Sequence, residues 1–233
     1  MQPDLAARLA QALHDREAAW TFVREFAEAW SAPLTDTDGT GNDELDAAEA
    51  RLGVKLPRAV REAYLLFGRR PDLTSNQDRL LAPEKLFVDH GMLVFREENQ
   101  WVAHWGVPLE ALDQDDPPVT MWMSLADPAA DPKTAWLDRF SVACVEMVLS
   151  ESLFEPEDLA ASMELDEDDA AALERWGTRL PLPDYPAGST ETRWFVGPDV
   201  LVRAHDRQWA WVRARTEEAL DEFVDAPEEW LRR

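Results

Sequence analysis

The residues of this sequence best suited to chemistry are four histidines, a few serines and many carboxylates. Their spacing decides what they can do. His14, His90, His104 and His205 share no ligand spacing, whereas a metal site needs several His, Cys or carboxylate groups converging on one point. Asp36, Asp38, Thr40, Gly41 and Glu44 imitate the start of a calcium-binding loop, but position eight is the charged Asp43 and position twelve is Ala47. Without a bidentate Glu at that last position the coordination shell stays open, so the stretch reads as a solvated turn. Ser141, Ser150 and Ser152 lack the sharp turn that exposes a nucleophile. None of the nine glycines falls in a GxGxxG or GxxxxGK phosphate loop. The sequence therefore leads us to expect no catalytic residue, no metal ligand and no cofactor.

The carboxylates carry a different message. There are 47 acidic residues against 23 basic ones, a formal charge of −24. Such a field repels nucleic acid and anionic membrane, and it attracts basic protein surfaces. Simple solubility is the plainer reading. Two clusters stand out: Asp113, Asp115 and Asp116 in a loop that ends in two prolines, and Asp166, Glu167, Asp168 and Asp169. The second lies within Glu155 to Glu174, which holds nine acids and only follows with a base at Arg175. Acids serve helix N-termini, but nine without a compensating base exceed what capping requires, so a partner-facing role stands beside the structural one. Eleven tryptophans against two tyrosines is an unusual balance. Most should be core residues, and exposed ones would anchor an interface. Trp101 and Trp105 are the candidates, with Trp122, Trp209 and Trp211 behind them.

These residues need a scaffold, and hydrophobic spacing predicts one. Residues 3–30 read as one long amphipathic helix, or two, with Pro3 in the first turn and Leu5, Leu9, Leu13, Trp20, Val23, Phe26 and Trp30 on one face. We treat residues 1–40 as an N-terminal helical addition with an acidic loop; a homodimer through this helix is the sharper reading of the stripe. Leu45, Ala48 and Leu52 mark a short helix capped by Asn42 or Asp43 and stopped at Gly53. Pro57 opens a second, with Val60, Ala63, Tyr64 and Phe67 buried and Gly68 closing it. Arg69 to Asp78 reads as a loop and Pro83 as the start of a short helix. Met92 to Phe95 and Gln100 to Trp105 form a hairpin that puts Trp101, Ala103 and Trp105 on one face. Val119 to Ser124 is a further strand, and a helix with Phe140, Ala143, Cys144, Met147 and Val148 on its inner side follows. The acids of Glu155 to Asp169 read as helix starts. Leu180 to Pro186 is an extended linker, Arg193 to Val196, Val200 to His205 and Gln208 to Ala214 are strands, and Thr216 caps a closing helix. The lone Cys144 cannot form an internal disulfide, and charges interrupt any apolar leader, so a cytoplasmic protein is expected.

Glu49, Leu52-Gly53, Leu56-Pro57, Tyr64 and Phe67-Gly68 together resemble the opening motif of the SUKH superfamily. Leu93 to Phe95, Glu98 to Gln100, Trp105 and Asp115 to Val119 follow in the order that family shows. The superfamily includes fungal regulators of cell-wall synthesis and many bacterial immunity proteins. The resemblance implies an α+β fold over residues 41–233, a mainly antiparallel twisted sheet of two strand groups surrounded by helices. It also implies a non-catalytic protein-binding module, in its sharpest form an immunity protein neutralising a basic toxin domain such as a nuclease. An intracellular regulator or scaffold of the same fold is the alternative.

Overall fold

The protein, seen in a computed structural model, is described over residues 4–124, 133–186 and 192–225. Of the two readings of the N-terminal stretch, one helix or two, the structure has two: α1 (Leu5–Ala12) and α2 (Arg16–Trp30). The break has a local cause. The Asp4 carboxylate accepts from Ala7 N–H at 3.1 Å and that of Asp15 from Ala18 N–H at 2.7 Å, so each starts its own helix. Pro3 lies outside the described residues. The apolar stripe does face inward. Leu9, Trp20, Val23 and Phe26 belong to the main core, where α2 packs on the later helix α6. The N-terminal helices are thus built into the core of their own chain.

The helix pair at the centre of the resemblance forms as expected, as α3 (Asn42–Leu52) and α4 (Arg58–Phe67). Its caps differ in detail. Gly41, not Asn42 or Asp43, precedes the helix, and the Glu44 carboxylate reaches back to accept from Gly41 N–H at 2.8 Å. Gly53 stops α3 at φ +69°, the left-handed region glycine enters freely. Gly68 ends α4 at φ −62°, so its requirement is space: a Cβ there would lie 2.7 Å from Tyr64 O. The quoted motif residues act as pins within this pair. Buried Glu49 accepts from Leu56 N–H and from Arg61, both at 3.1 Å. Tyr64 donates its hydroxyl to Leu81 O at 2.6 Å.

The stretch expected to be a loop after Gly68 carries a one-turn helix, α5 (Pro71–Thr74). A first sheet then assembles from β1 (Arg79–Leu80), β2 (Phe87–Asp89), β3 (Met92–Glu97), β4 (Ala103–Pro108), β5 (Val119–Met123) and β6 (Lys133–Leu137). Its order is β1-β3-β4-β5-β6, with β2 also on β3, and every pairing is antiparallel. Pairing slips between Val94 and Arg96. Such a bulge lets neighbouring side chains share a side. Phe95 meets Phe140 ring to ring at 4.8 Å, and the next residue, Arg96, reaches Glu146.

Both targets lie on α6 (Phe140–Ser152), which is buried at all thirteen positions. This corrects the one-sided helix of the sequence reading. A helix covered all round has no polar face to show water, and here α2, α4, α5 and β6 pack around it.

The second group of strands forms a separate sheet: β7 (Ala160–Glu164), β8 (Thr178–Arg179), β9 (Thr192–Gly197), β10 (Val200–His205) and β11 (Trp209–Ala214). Its order is β7-β11-β10-β9-β8, all antiparallel. Strand β7 lies where the sequence suggested a helix start. Its Ala, Met and Glu residues favour helix, but pairing along β11 from Trp209 to Arg213 overrides that preference. Two helices, α7 (Glu167–Trp176) and α8 (Glu217–Val224), bring Leu173 and Phe223 into a second small core with Phe195 and Val202. Trp194 and Leu201, one residue away on the strands, join the main core instead. The protein is an α+β fold whose two antiparallel sheets share the main core.

Candidate functional site

The expected anchors part company. Trp101 does not lie on a strand, because β4 begins only at Ala103. It occupies the hairpin turn at φ +67° and is 68% exposed, next to the exposed Val102. A bulky aromatic residue in that region costs on the order of 1–3 kcal/mol, so the surroundings must impose it. They do so through Glu98. Its carboxylate Oε2 accepts from Gln100 N–H at 2.8 Å and from Val102 N–H at 3.3 Å, and its carbonyl accepts from Trp101 N–H at 2.9 Å.

Trp105 is a correction. It is only 6% exposed. The Arg96 guanidinium lies 4.6 Å from its ring centroid, and Trp136 meets it edge-on at 5.5 Å. Alternation would have placed both tryptophans on one face, but the turn removes Trp101 from the strand. Trp122 is engaged too, stacked near-parallel on His90 at 4.1 Å and on His104 at 5.6 Å.

The acidic clusters also divide. Asp116 is withdrawn from the surface and starts α6. Its Oδ1 accepts from Ser141 N–H at 2.8 Å, and Oδ2 accepts from Ser141 Oγ at 2.7 Å and Arg139 Nε at 2.9 Å. It positions a helix and leaves the candidate partner surface. Asp113 and Asp115 stay exposed, although the Asp115 carbonyl ties the loop to α4 by accepting from Ala59 N–H at 2.8 Å. Asp166 and Asp169 form a reciprocal cap on α7, at 2.8 and 3.2 Å. Glu167 and Asp168 remain exposed in its first turn. The loop cluster is held by α4 and α6, whereas the helix cluster rides on the second sheet.

The sequence reading missed a buried cluster of four charged groups. Arg96, with its side chain 4% exposed, donates to three carboxylates: Glu146 at 3.2 Å, Glu151 at 2.7 Å and Asp78 at 3.1 Å. Glu151 also accepts from the backbone N–H groups of Asn76 at 2.8 Å and Gln77 at 2.6 Å. Ser150 connects the network to the second sheet. It donates to Glu146 at 2.5 Å and accepts from Arg203 Nη1 at 3.1 Å. The Arg203 guanidinium in turn lies 4.4 Å above the Trp211 ring. A cavity of about 230 Å³ opens among Asp78, Arg96, Glu146, Arg203 and Trp211. A signal for this was present: Glu146 interrupts the apolar run from Val142 to Leu149, and a charge in such a run must find a partner.

Burial pushes the Asp78 carboxyl up to about 6; Arg96 pulls against that rise, and Glu151 and Glu146 add to it. Burial alone would lower the Arg96 guanidinium, but the carboxylates around it hold it above its ordinary value. A carboxyl that titrates near neutrality can serve acid–base chemistry, and structural ion networks show the same shift. The cavity is smaller than the roughly 300–1,000 Å³ of ligand pockets, and the groups bind the first sheet, α6 and the second sheet together. This geometry supports a rivet.

The raised Asp78 value fixes a pH dependence. The folded protein binds this proton more tightly than the unfolded chain, so the associated stability is present below about 3.8 and is lost as pH rises through about 6. Asp78→Asn keeps an acceptor for Arg96 without the charge. It should make the protein more stable than the wild type at pH 8 by on the order of 1–3 kcal/mol. That advantage should vanish near pH 4. Urea unfolding at the two pH values checks it; equal stabilities at pH 8 would refute the assignment.

Comparison with family models, curated proteins and solved structures yields no match in any of the three. Among the described residues no group of three or more His, Cys, Asp or Glu is arranged to hold a metal ion. No helix among them is long and apolar enough to cross a membrane.

Proposed function

We propose that the protein is a non-catalytic binding module of the SUKH type that neutralises a basic toxin domain, with the β3–β4 hairpin turn as its anchor. The observation that carries the reading is Trp101, a large aromatic side chain held out at positive φ by Glu98 on a sheet whose other tryptophans are engaged internally. Strain of this kind persists where the surroundings over-determine it, and exposed Trp is the residue type most enriched among interface hot spots. The charge of −24 supplies rapid, salt-sensitive attraction to a basic surface. Exposed Asp113, Asp115, Glu167 and Asp168 contribute to that field.

The test is capture from lysate of the source cell on immobilised wild-type protein and on Trp101→Ala in parallel. The wild type should retain a basic protein that elutes as salt rises and is toxic when expressed alone. Trp101→Ala should weaken that complex by about 2 kcal/mol, roughly thirtyfold in affinity. Unaltered retention would remove the hairpin turn from the interface. A salt-indifferent, non-toxic partner would instead favour a regulator or scaffold.

A further inference from the structure

A larger cavity, about 660 Å³, lies where α2 ends and β11 leaves the second sheet. Its apolar wall comes from Phe26, Trp30, Leu73 and Leu159, and Arg213 forms part of its polar side. Arg213 is only 3% exposed. Its Nε donates to Glu155 O at 3.1 Å and Nη2 to Trp30 O at 3.3 Å. Nη1 is buried and has no hydrogen-bond partner among the described residues.

Several arginines that bridge elements of this fold end on carboxylates: Arg96 on three, Arg70 on Asp72 and Asp38, Arg139 on Asp116. Arg213 meets only carbonyl oxygens. Two acids of the cavity wall are already engaged, since Asp72 receives Arg70 and Asp199 receives Arg215 at 2.9 Å, and the third, Glu155, gives Arg213 its carbonyl. Burial lowers the Arg213 guanidinium from its ordinary value, and Asp158 offsets this in part. A desolvated guanidinium with no carboxylate on it, set beside a cavity of ligand size with one apolar wall, matches one chemistry well.

We propose that this cavity binds a small amphipathic carboxylate, its anionic head held by Arg213 and its apolar body against Phe26, Trp30, Leu73 and Leu159. The site is separate from the hairpin turn and does not depend on the toxin reading. Carbonyl bonding by Arg213 fixes the fork, and a carboxylate satisfies the donor that the protein leaves open.

Octanoate is the probe, with octan-1-ol and inorganic phosphate as controls, read by calorimetry and by thermal shift. Octanoate should bind saturably and raise Tm. Octan-1-ol should lack the charge-assisted contact, and phosphate the apolar one. Arg213→Met should weaken octanoate roughly tenfold or more, the fold-change expected for a lost charge-assisted hydrogen bond. Because Arg213 also ties Trp30 to Glu155, a second variant, Ala29→Met, fills the wall without touching the guanidinium and should abolish binding. Absence of octanoate binding to the wild type would overturn the proposal and leave Arg213 as a carbonyl tie. Equal binding of octan-1-ol, or octanoate binding unchanged in Ala29→Met, would overturn it equally.

Discussion

Replacing Arg96 by methionine should cost about 3–5 kcal/mol of stability at pH 7, enough to unfold much of the protein. The reason lies in what the substitution leaves behind. Methionine fills much of the volume and preserves contact with Trp105, so packing loss is small. Glu146 and Glu151, however, would remain buried without the cation that contacts them directly, and Asp78 would lose its charged donor. An unpaired buried charge is among the few single changes that reach this size. Urea unfolding at pH 7 measures it. The companion is a fourfold variant, Arg96→Met with Asp78→Asn, Glu146→Gln and Glu151→Gln, which removes the stranded charges and should recover most of the loss. A cost below about 1 kcal/mol for Arg96→Met alone would mean that water reaches the network and the rivet is not one.

Phe26→Ala is expected to cost about 3–5 kcal/mol as well, by opening a cavity in the centre of the fold. Phe26 is fully buried, stacked between Phe22 at 6.1 Å and Trp30 at 5.7 Å, on a helix that packs against α6. An N-terminal addition would lose its own order on this change and leave residues 41–233 standing. An integral layer takes the whole molecule with it. The two are separable by following unfolding through circular dichroism and tryptophan fluorescence: coincident, shifted transitions indicate one cooperative unit. A biphasic curve with an unshifted main transition would restore the boundary near residue 40.

Much of the scaffold was legible because its causes are local. Gly53, Pro57 and Thr216 bound their helices through the conformations or caps that those residue types favour, and β9, β10 and β11 follow alternation between short turns. The site was less legible. Glu146 and Glu151 stand 50 and 55 residues from Arg96, and nothing in a window of local sequence pairs them. Strand β7 exists because β11 offers it an edge, so its own propensities pointed elsewhere. Trp101 and Trp105 obey alternation only if the strand extends through Gln100; it begins three residues later, at Ala103, which leaves Trp101 in the turn and Trp105 in the core. For Asp116 the reading weighed charge where the geometry uses a cap, whereas at Asp166 the helix-start reading named beside the partner role is the one the geometry shows.

The burial of α6 on every side bears on how the chain is made. Arg139, at the start of this helix, donates to Leu13 O across 126 residues of sequence, and α2 beside it needs the same helix as cover. On a ribosome adding roughly 5–20 residues per second, the stripe of α1 and α2 therefore waits on the order of 6–25 seconds before its partner has been synthesised. Trp20 finds earlier partners in Glu62 and Phe67 of α4, but the side of α2 that packs on α6 stays uncovered through that interval, which makes this helix a segment that a chaperone would have reason to hold.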